Sequence, residues 1–322
     1  MTSPSTPKIS FLVVIYRMSR QAENTLYSLS ARHQKNVREE DYEIIAVENR
    51  SDDVLGEARA TALGKNVRYF LRDEATQTPV FALNFAYEQS RAPLVCLIID
   101  GARMVTPRLV EHALKAQRLA DHPLIAVPGY HLGPEEHHKN VTAGYDERVE
   151  AELLEQSKWK EDGYGLFDIA CFSGANDKGF LSPMLESNCL LCTRECFEAI
   201  GRADERFDLP GGGSVNIHIY TKLAALPNIK FIVLGGEGSF HQFHGGVTTA
   251  EVGDREEVLE SHRKQLRELN GGKFEGAHRE PMLFGVIPGK AQLFLQTSAG
   301  RAAFRHTFCK KLGLDEWPLD KP

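Results

Sequence analysis

Apolar positions in this chain gather into short, almost unbroken blocks, set apart by longer stretches in which they recur every three or four residues. Ile9 to Tyr16, Tyr42 to Val47, Val67 to Leu71 and Leu94 to Ile99 are the first four blocks. Runs so short, so apolar and so rich in β-branched residues read as strands buried on both faces. The segments between them, Arg20 to His33, Asp53 to Leu63 and Pro79 to Glu88, have helical spacing; in the first, Ala22, Leu26 and Leu29 share one face. Strand–helix alternation of this kind predicts an α/β fold with a mainly parallel sheet flanked by helices. Two blocks run straight into an acid, Glu48 after the second and Asp100 after the fourth. Open α/β sheets bind ligands at the carboxyl ends of their strands, so two acids on that edge point to a ligand rather than to chance.

Further along, Cys189 to Cys192 reads as a buried strand with Cys196 opening the next helix. Glu147 to Lys160, Asp254 to Asn270 and Ala291 to Leu312 read as helices. The expected organisation is a disordered lead-in over 1–8, one sheet domain in two halves, 9–105 and 106–250, and a helical C-terminal appendage over 251–322. The C-terminal helices are expected to pack against the sheet domain or against a second copy of the chain.

Composition narrows function by exclusion. A formal net charge of −6 over 322 residues gives no electrostatic case for nucleic acid. No apolar run is long enough to span a bilayer, and Met1 to Lys8 lacks the basic and apolar regions of a signal peptide. Six cysteines in a chain of this length are no disulfide scaffold and suit a reducing compartment. A cytoplasmic protein is expected, meeting a membrane only peripherally. Cys189, Cys192 and Cys196 are not followed by the second pair that a structural zinc site needs. The turn after the first strand carries neither G-x-G-x-x-G nor G-x-x-x-x-G-K-[ST], which argues against a dinucleotide enzyme or a P-loop ATPase. Bound phosphates would need a cation or basic side chains; Arg17, Arg50, Arg72 and Arg103 are the nearby candidates.

The motifs, in order, are Val13-Val14-Ile15-Tyr16-Arg17, then Glu48-Asn49-Arg50-Ser51-Asp52, Phe81-Ala82-Leu83-Asn84, and Ile99-Asp100-Gly101-Ala102. After them come Cys189 to Gly201 and Gly201-Arg202-Ala203-Asp204-Glu205-Arg206-Phe207. In that order and spacing, over residues 9–245, the chain resembles the family-2 type glycosyltransferases of GT-A fold. The resemblance implies transfer of a sugar, with inversion, from a nucleotide-diphospho-sugar, a UDP-sugar first, to a glycan or small-molecule hydroxyl. It makes 9–105 the nucleotide-sugar half and 106–250 the acceptor half. Glu48 matches the nucleobase-binding acid, Tyr16 and Arg17 the loop beside base and ribose, Asn84 the asparagine before the next strand. Asp100, with Gly101, matches the start of the D-x-D motif.

Two positions depart from the family pattern. Ala102 stands where the second acid of D-x-D is the usual metal contact, and Asn216 stands near the acid that activates the acceptor. Inverting transfer still needs a base, positive charge for the leaving diphosphate, and an acceptor held in line. For the base, Glu186 in Leu185-Glu186-Ser187-Asn188 is the first candidate and Asp208 the second. For the leaving group, the glycine-rich stretch from Gly235 to Gly246 holds Glu237, His241 and His244. The resemblance points to His241 or His244 as a metal or diphosphate contact, and neutral imidazole with Asp100 suits Mn²⁺ or Mg²⁺. Gly211-Gly212-Gly213 reads as a loop that lets donor or acceptor approach, with Gly212 and Gly213 in contact. His137 and His138, in a charged loop, are expected in solvent; Trp159 and Tyr164 are expected to pack. Three readings follow: a metal-assisted transferase, a metal-independent one, or a catalytically silent GT-A domain that binds nucleotide-sugar or glycan, or acts as a scaffold.

Overall fold

A computed structural model describes residues 6–74, 77–141, 144–245, 252–272, 276 and 279–313. Residues 1–5 of the expected lead-in, Gly246 and residues 314–322 of the C-terminal extension lie outside the described residues. In chain order the strands are β1 (Ile9–Ile15), β2 (Tyr42–Asn49), β3 (Val67–Arg72), β4 (Leu94–Ile98), β5 (Arg103–Val105) and β6 (Pro123–Ala126). They continue with β7 (Gly129–Leu132), β8 (Ala170–Phe172), β9 (Leu190–Thr193), β10 (Lys230–Val233), β11 (Ser239–His241) and β12 (Met282–Leu283). The helices are α1 (Ser19–Leu29), α2 (Glu57–Thr61), α3 (Val80–Gln89), α4 (Leu109–Ala116) and α5 (His137–Asn140). After them come α6 (Glu147–Ser157), α7 (Arg194–Ala199), α8 (Val215–Ala225), α9 (Val252–Leu269) and α10 (Gln292–Leu312).

The large sheet has eight strands in the order β12-β10-β6-β9-β4-β1-β2-β3. Only β9 runs against its neighbours, β4 and β6. The four apolar blocks are therefore the parallel strands that the pattern predicts. Along β1, Leu12 and Val14 enter one core while Ile9, Phe11, Val13 and Ile15 enter the other. A period-two split between two cores is what makes an unbroken apolar strand stable here. At roughly 25 cal/mol per Å² of apolar area, burying any one of these side chains contributes about 1.5–3 kcal/mol.

A second sheet, β5-β11-β7-β8, lies beside the first and consists of strands of three or four residues. Sequence patterning did not isolate it, because runs that short carry no period. The C-terminal segment is helical, as expected, and also adds β12 to the edge of the large sheet beside β10. On α10, Leu293 and Phe304 stay exposed. No helix among the described residues is long and apolar enough to cross a membrane.

Candidate active site

One cleft of about 790 Å³ opens where the carboxyl ends of β1, β2 and β4 meet the small sheet. Tyr16 and Arg17 follow β1, Asn49 ends β2, and Ile99 and Asp100 follow β4; all five line it. Arg17 sits at φ 52°, a left-handed conformation costly for a non-glycine residue, and its guanidinium pairs with Asp52 at 2.9 Å. Gly101 is needed for packing: a Cβ there would lie 2.7 Å from the Val14 carbonyl oxygen.

Strand register assembles the centre of the cleft. In the antiparallel pairing of β5 with β11, His241 lies opposite Arg103. The Gln242 amide donates to the Ala102 carbonyl at 2.9 Å. His241 Nε2 is thereby brought to 2.9 Å from Asp100 Oδ2. His244 Nε2 lies 3.0 Å from His241 Nε2 and 3.7 Å from Asp100 Oδ1. The loop between the two histidines is tied down from several sides. Phe243 donates its amide to Glu150 at 2.5 Å and accepts from Gln21 at 2.6 Å, and Gln242 accepts from Asn24 at 2.9 Å. Asp100 also accepts from Arg103 Nε at 3.2 Å.

The donor set of Asp100, His241 and His244 fits a divalent cation. One ligand atom from each lies within 4.8 Å of the others. Two imidazole Nε2 atoms facing each other at 3.0 Å beside a carboxylate present more lone pairs than protons, as cation ligands do. Burial pushes His241 down to about 4, with Arg103 adding to it against the pull of Asp100, so its ring is neutral at pH 7. Burial alone would raise Asp100, but His241 and His244 hold its carboxyl well below the ordinary range. With His241 neutral, the contact that holds Asp100 ionised is an N–H donated by the ring. Ala102 is fully buried and has no ligand atom to offer.

Glu186, which also lines the cleft, accepts from Asn188 Nδ2 at 3.2 Å, and Asn188 Oδ1 accepts from Asn216 Nδ2 at 2.5 Å. Burial raises the Glu186 carboxyl; Arg103 and Asn188 offset part of the rise, and the charge of Asp100 adds to it. Asn216 stands in the first turn of α8, and its Oδ1 is buried without a partner. Gly211, Gly212 and Gly213 all take positive φ, at 72°, 82° and 57°, so the tight entry to α8 needs glycine. Arg255, Leu259, His262 and Arg263 of α9 close the remaining wall.

Several expected site residues lie elsewhere. Glu48 is fully buried, and its carboxylate accepts from the amides of Leu55 at 2.8 Å and Gly56 at 3.2 Å and from the Tyr69 hydroxyl. It braces the loop after β2 and leaves the cleft wall to Asn49. Asn84 donates to the Ala203 carbonyl at 3.0 Å and accepts from its amide at 3.2 Å, pinning α3 to the Gly201–Phe207 turn away from the cleft. Asp208 is exposed outside the cleft and accepts from Gln265 at 2.9 Å. Gly211 and Gly213 line the cleft, whereas Gly212 faces Pro79. Of the four arginine candidates, Arg17 and Arg103 line the cleft, while Arg50 pairs with Asp73 and Arg72 with Glu74. Glu237 is buried with His112, Tyr164 and Thr106. His137, expected in solvent, is 1% exposed. Trp159 packs edge-on against Tyr27.

Sequence reasoning missed Asn49, Asn188, His131 and the α9 arginines as cleft residues. Asn49 and Asn188 adjoin candidates that were named, but no local signal separates them from their neighbours. His131 reaches the cleft through the β7–β11 pairing, which sets it beside His241.

No family model matches the sequence, and no curated protein matches it. Among solved structures, residues 1–349 of S. aureus TarS share 11% identity with this chain, with a TM-score of 0.51 over 94% of this chain and 74% of that one. The same fragment in complex with UDP gives 0.50 at 11% identity, over 95% and 74%. The mannosyltransferase PcManGT of Pyrobaculum calidifontis, solved with GDP-Man and Mn²⁺, gives 0.45 at 14% identity, over 94% and 76%. The fold is that of the GT-A glycosyltransferases. The cleft described above lies where an α/β sheet of this GT-A kind presents its strand ends.

Proposed function

We propose that this chain is an inverting glycosyltransferase that takes a sugar from a nucleotide-diphospho-sugar and passes it to a glycan or other hydroxyl acceptor. The observation that carries the reading is the presence, in one cleft, of the Asp100, His241 and His244 group together with the raised carboxyl of Glu186. A UDP-sugar is the donor we favour, since TarS, which shares the fold, has been solved with UDP. Asp100, His241 and His244 would hold a divalent cation, Mn²⁺ or Mg²⁺, which supplies charge neutralisation for the diphosphate.

The remaining chemistry belongs to the chain. Glu186, as carboxylate, takes the acceptor hydroxyl proton while the new C1–O bond forms and the C1–O bond to the diphosphate breaks. Burial makes Glu186 a stronger base than an exposed carboxylate. Asn188 and Asn216 hold it in place, so the asparagine at position 216 serves as a positioning residue. Arg17 and Arg103 add positive charge to the donor side of the cleft. The loss of acids at Ala102 and Asn216 favours one second reading, a silent domain that binds nucleotide-sugar or glycan.

Calorimetric titration with UDP and with GDP, each in Mn²⁺ and in EDTA, tests the donor site. The expected result is micromolar binding of UDP that depends on Mn²⁺. Binding unaffected by EDTA removes the cation from the account; no binding of either nucleotide overturns the donor site. Metal-dependent UDP binding without turnover on any hydroxyl acceptor leaves the silent domain.

A further inference from the structure

We propose that His131, His137 and His241 form a second metal site, selective for a zinc-class divalent ion, behind the nucleotide cleft. One ring nitrogen from each of the three lies within 4.8 Å of the other two. The rings are 4.5 Å (His131–His137), 4.9 Å (His131–His241) and 5.2 Å (His137–His241) apart between centroids.

Two of the three rings keep a buried nitrogen free for a ligand role. His137 Nε2 donates to the Leu132 carbonyl at 3.1 Å, which fixes the tautomer and leaves Nδ1 with its lone pair. That Nδ1 is buried and has no partner. His241 Nε2 is engaged by Asp100 at 2.9 Å, and its Nδ1 is likewise buried and unpartnered. Metal-binding histidines commonly give their second nitrogen to a backbone carbonyl or a carboxylate, which sets the ring and sharpens its basicity. Two bare imidazole nitrogens in one buried cluster otherwise leave hydrogen-bonding capacity unmet, which is costly.

Ligand type selects the ion. Three imidazoles and no carboxylate in the set favour zinc, copper or nickel over Mg²⁺ or Ca²⁺. In a tetrahedral site with Zn–N bonds of about 2.0–2.1 Å, the nitrogens stand roughly 3.3 Å apart, so the rings need close by only an ångström or so. His131 also lines the cleft, so a fourth position can take water from that side. The site needs neither nucleotide nor His244, and so stands apart from the transferase reading. His241 belongs to both triads; its Nε2 faces Asp100 and its Nδ1 is the unpartnered nitrogen. With both cations present, the ring would offer one nitrogen to each and give up its remaining proton to solvent.

The test is titration of metal-free full-length protein with Co²⁺ and then Zn²⁺, without nucleotide, followed by visible d–d absorption. The expected result is the intense bands of a tetrahedral nitrogen site, growing to one Co²⁺ per chain and displaced by Zn²⁺; Co²⁺ held by Asp100, His241 and His244 with open coordination positions would absorb weakly and add little to those bands. His137→Gln and His131→Gln are each expected to weaken binding at least about tenfold while circular dichroism is unchanged, and His244→Ala to leave it within about threefold. If His137→Gln unfolds the chain, His131→Gln at the cleft edge carries the test. No tetrahedral Co²⁺ spectrum, binding that survives both glutamine variants, or binding lost in His244→Ala overturns the second site. The nucleotide titration fails or succeeds independently of each of these results.

Discussion

The two sheets contribute to the cleft in different ways. The large sheet reaches it only where its strands end, through Tyr16, Asn49 and Asp100. The small sheet sends in His131 from inside β7 and His241 from the paired end of β11, at positions fixed by register with each other and with Arg103. A residue beyond a strand end can be exchanged with little cost to the fold. A one-residue slip in the small sheet would turn both histidines to the opposite face. The durable framework thus comes from the large sheet, and the geometry of the proposed cation site comes from the small one.

Substitutions can break this division, and their effects should fall in order. Asp100→Ala, at a strand end, should lower kcat/KM by about 10⁴-fold through loss of the cation and of donor binding, yet leave the melting temperature nearly unchanged. Steady-state kinetics beside a thermal melt separates the two effects. Glu186→Gln should lower kcat by about 10³-fold with donor KM unchanged. In the wild type, turnover should fall as pH drops through the raised Glu186 pKa, and the glutamine variant should lose that limb. His241→Ala should lower kcat/KM about a hundredfold and, unlike Asp100→Ala, should also lower the melting temperature, because it sits within the small sheet.

His33 tests the framework alone. It is buried against Tyr27 and Trp159, and burial lowers it from 6.5 to about 4. The folded chain therefore binds fewer protons than the unfolded chain between those pH values. Stability is full above pH 6.5 and declines as pH falls towards about 4, by roughly 3 kcal/mol at most. Denaturant unfolding of His33→Gln at pH 7 and pH 5 should show a smaller decline than the wild type, the remainder coming from the other buried histidines, with turnover unaffected. The smallest effect is expected for Asp208→Asn, whose carboxylate, among the described residues, accepts from Gln265: kcat should change less than about twofold. A large loss there would return Asp208 to the chemistry.

The same contrast explains what could be read from residues alone. The strands β1 to β4, their helices and the acid at Asp100 are local signals, since each apolar run is bounded by its own polar turn. His241 and His244 stood out because glycines flank them. The roles of Glu48 and Asn84 could not be read, because a polar residue at a strand end or on a helix looks the same whether it faces a ligand or a backbone amide. Glu48 is decided by Leu55 and Gly56, and Asn84 by Ala203 over a hundred residues away. His137 looked exposed because its neighbours are charged, and it is buried through tertiary contact with His131 and His241. Pairing between β5, β11 and β7 is long-range and leaves no mark on any single window.

A crystal structure with UDP and Mn²⁺, measured at the manganese absorption edge, tests the central claim most directly. One anomalous peak is expected in contact with Asp100, His241 and His244, with the diphosphate on it and Glu186 facing the sugar side. A nucleotide seated in the cleft with no manganese at those three residues, or manganese held elsewhere, would contradict it.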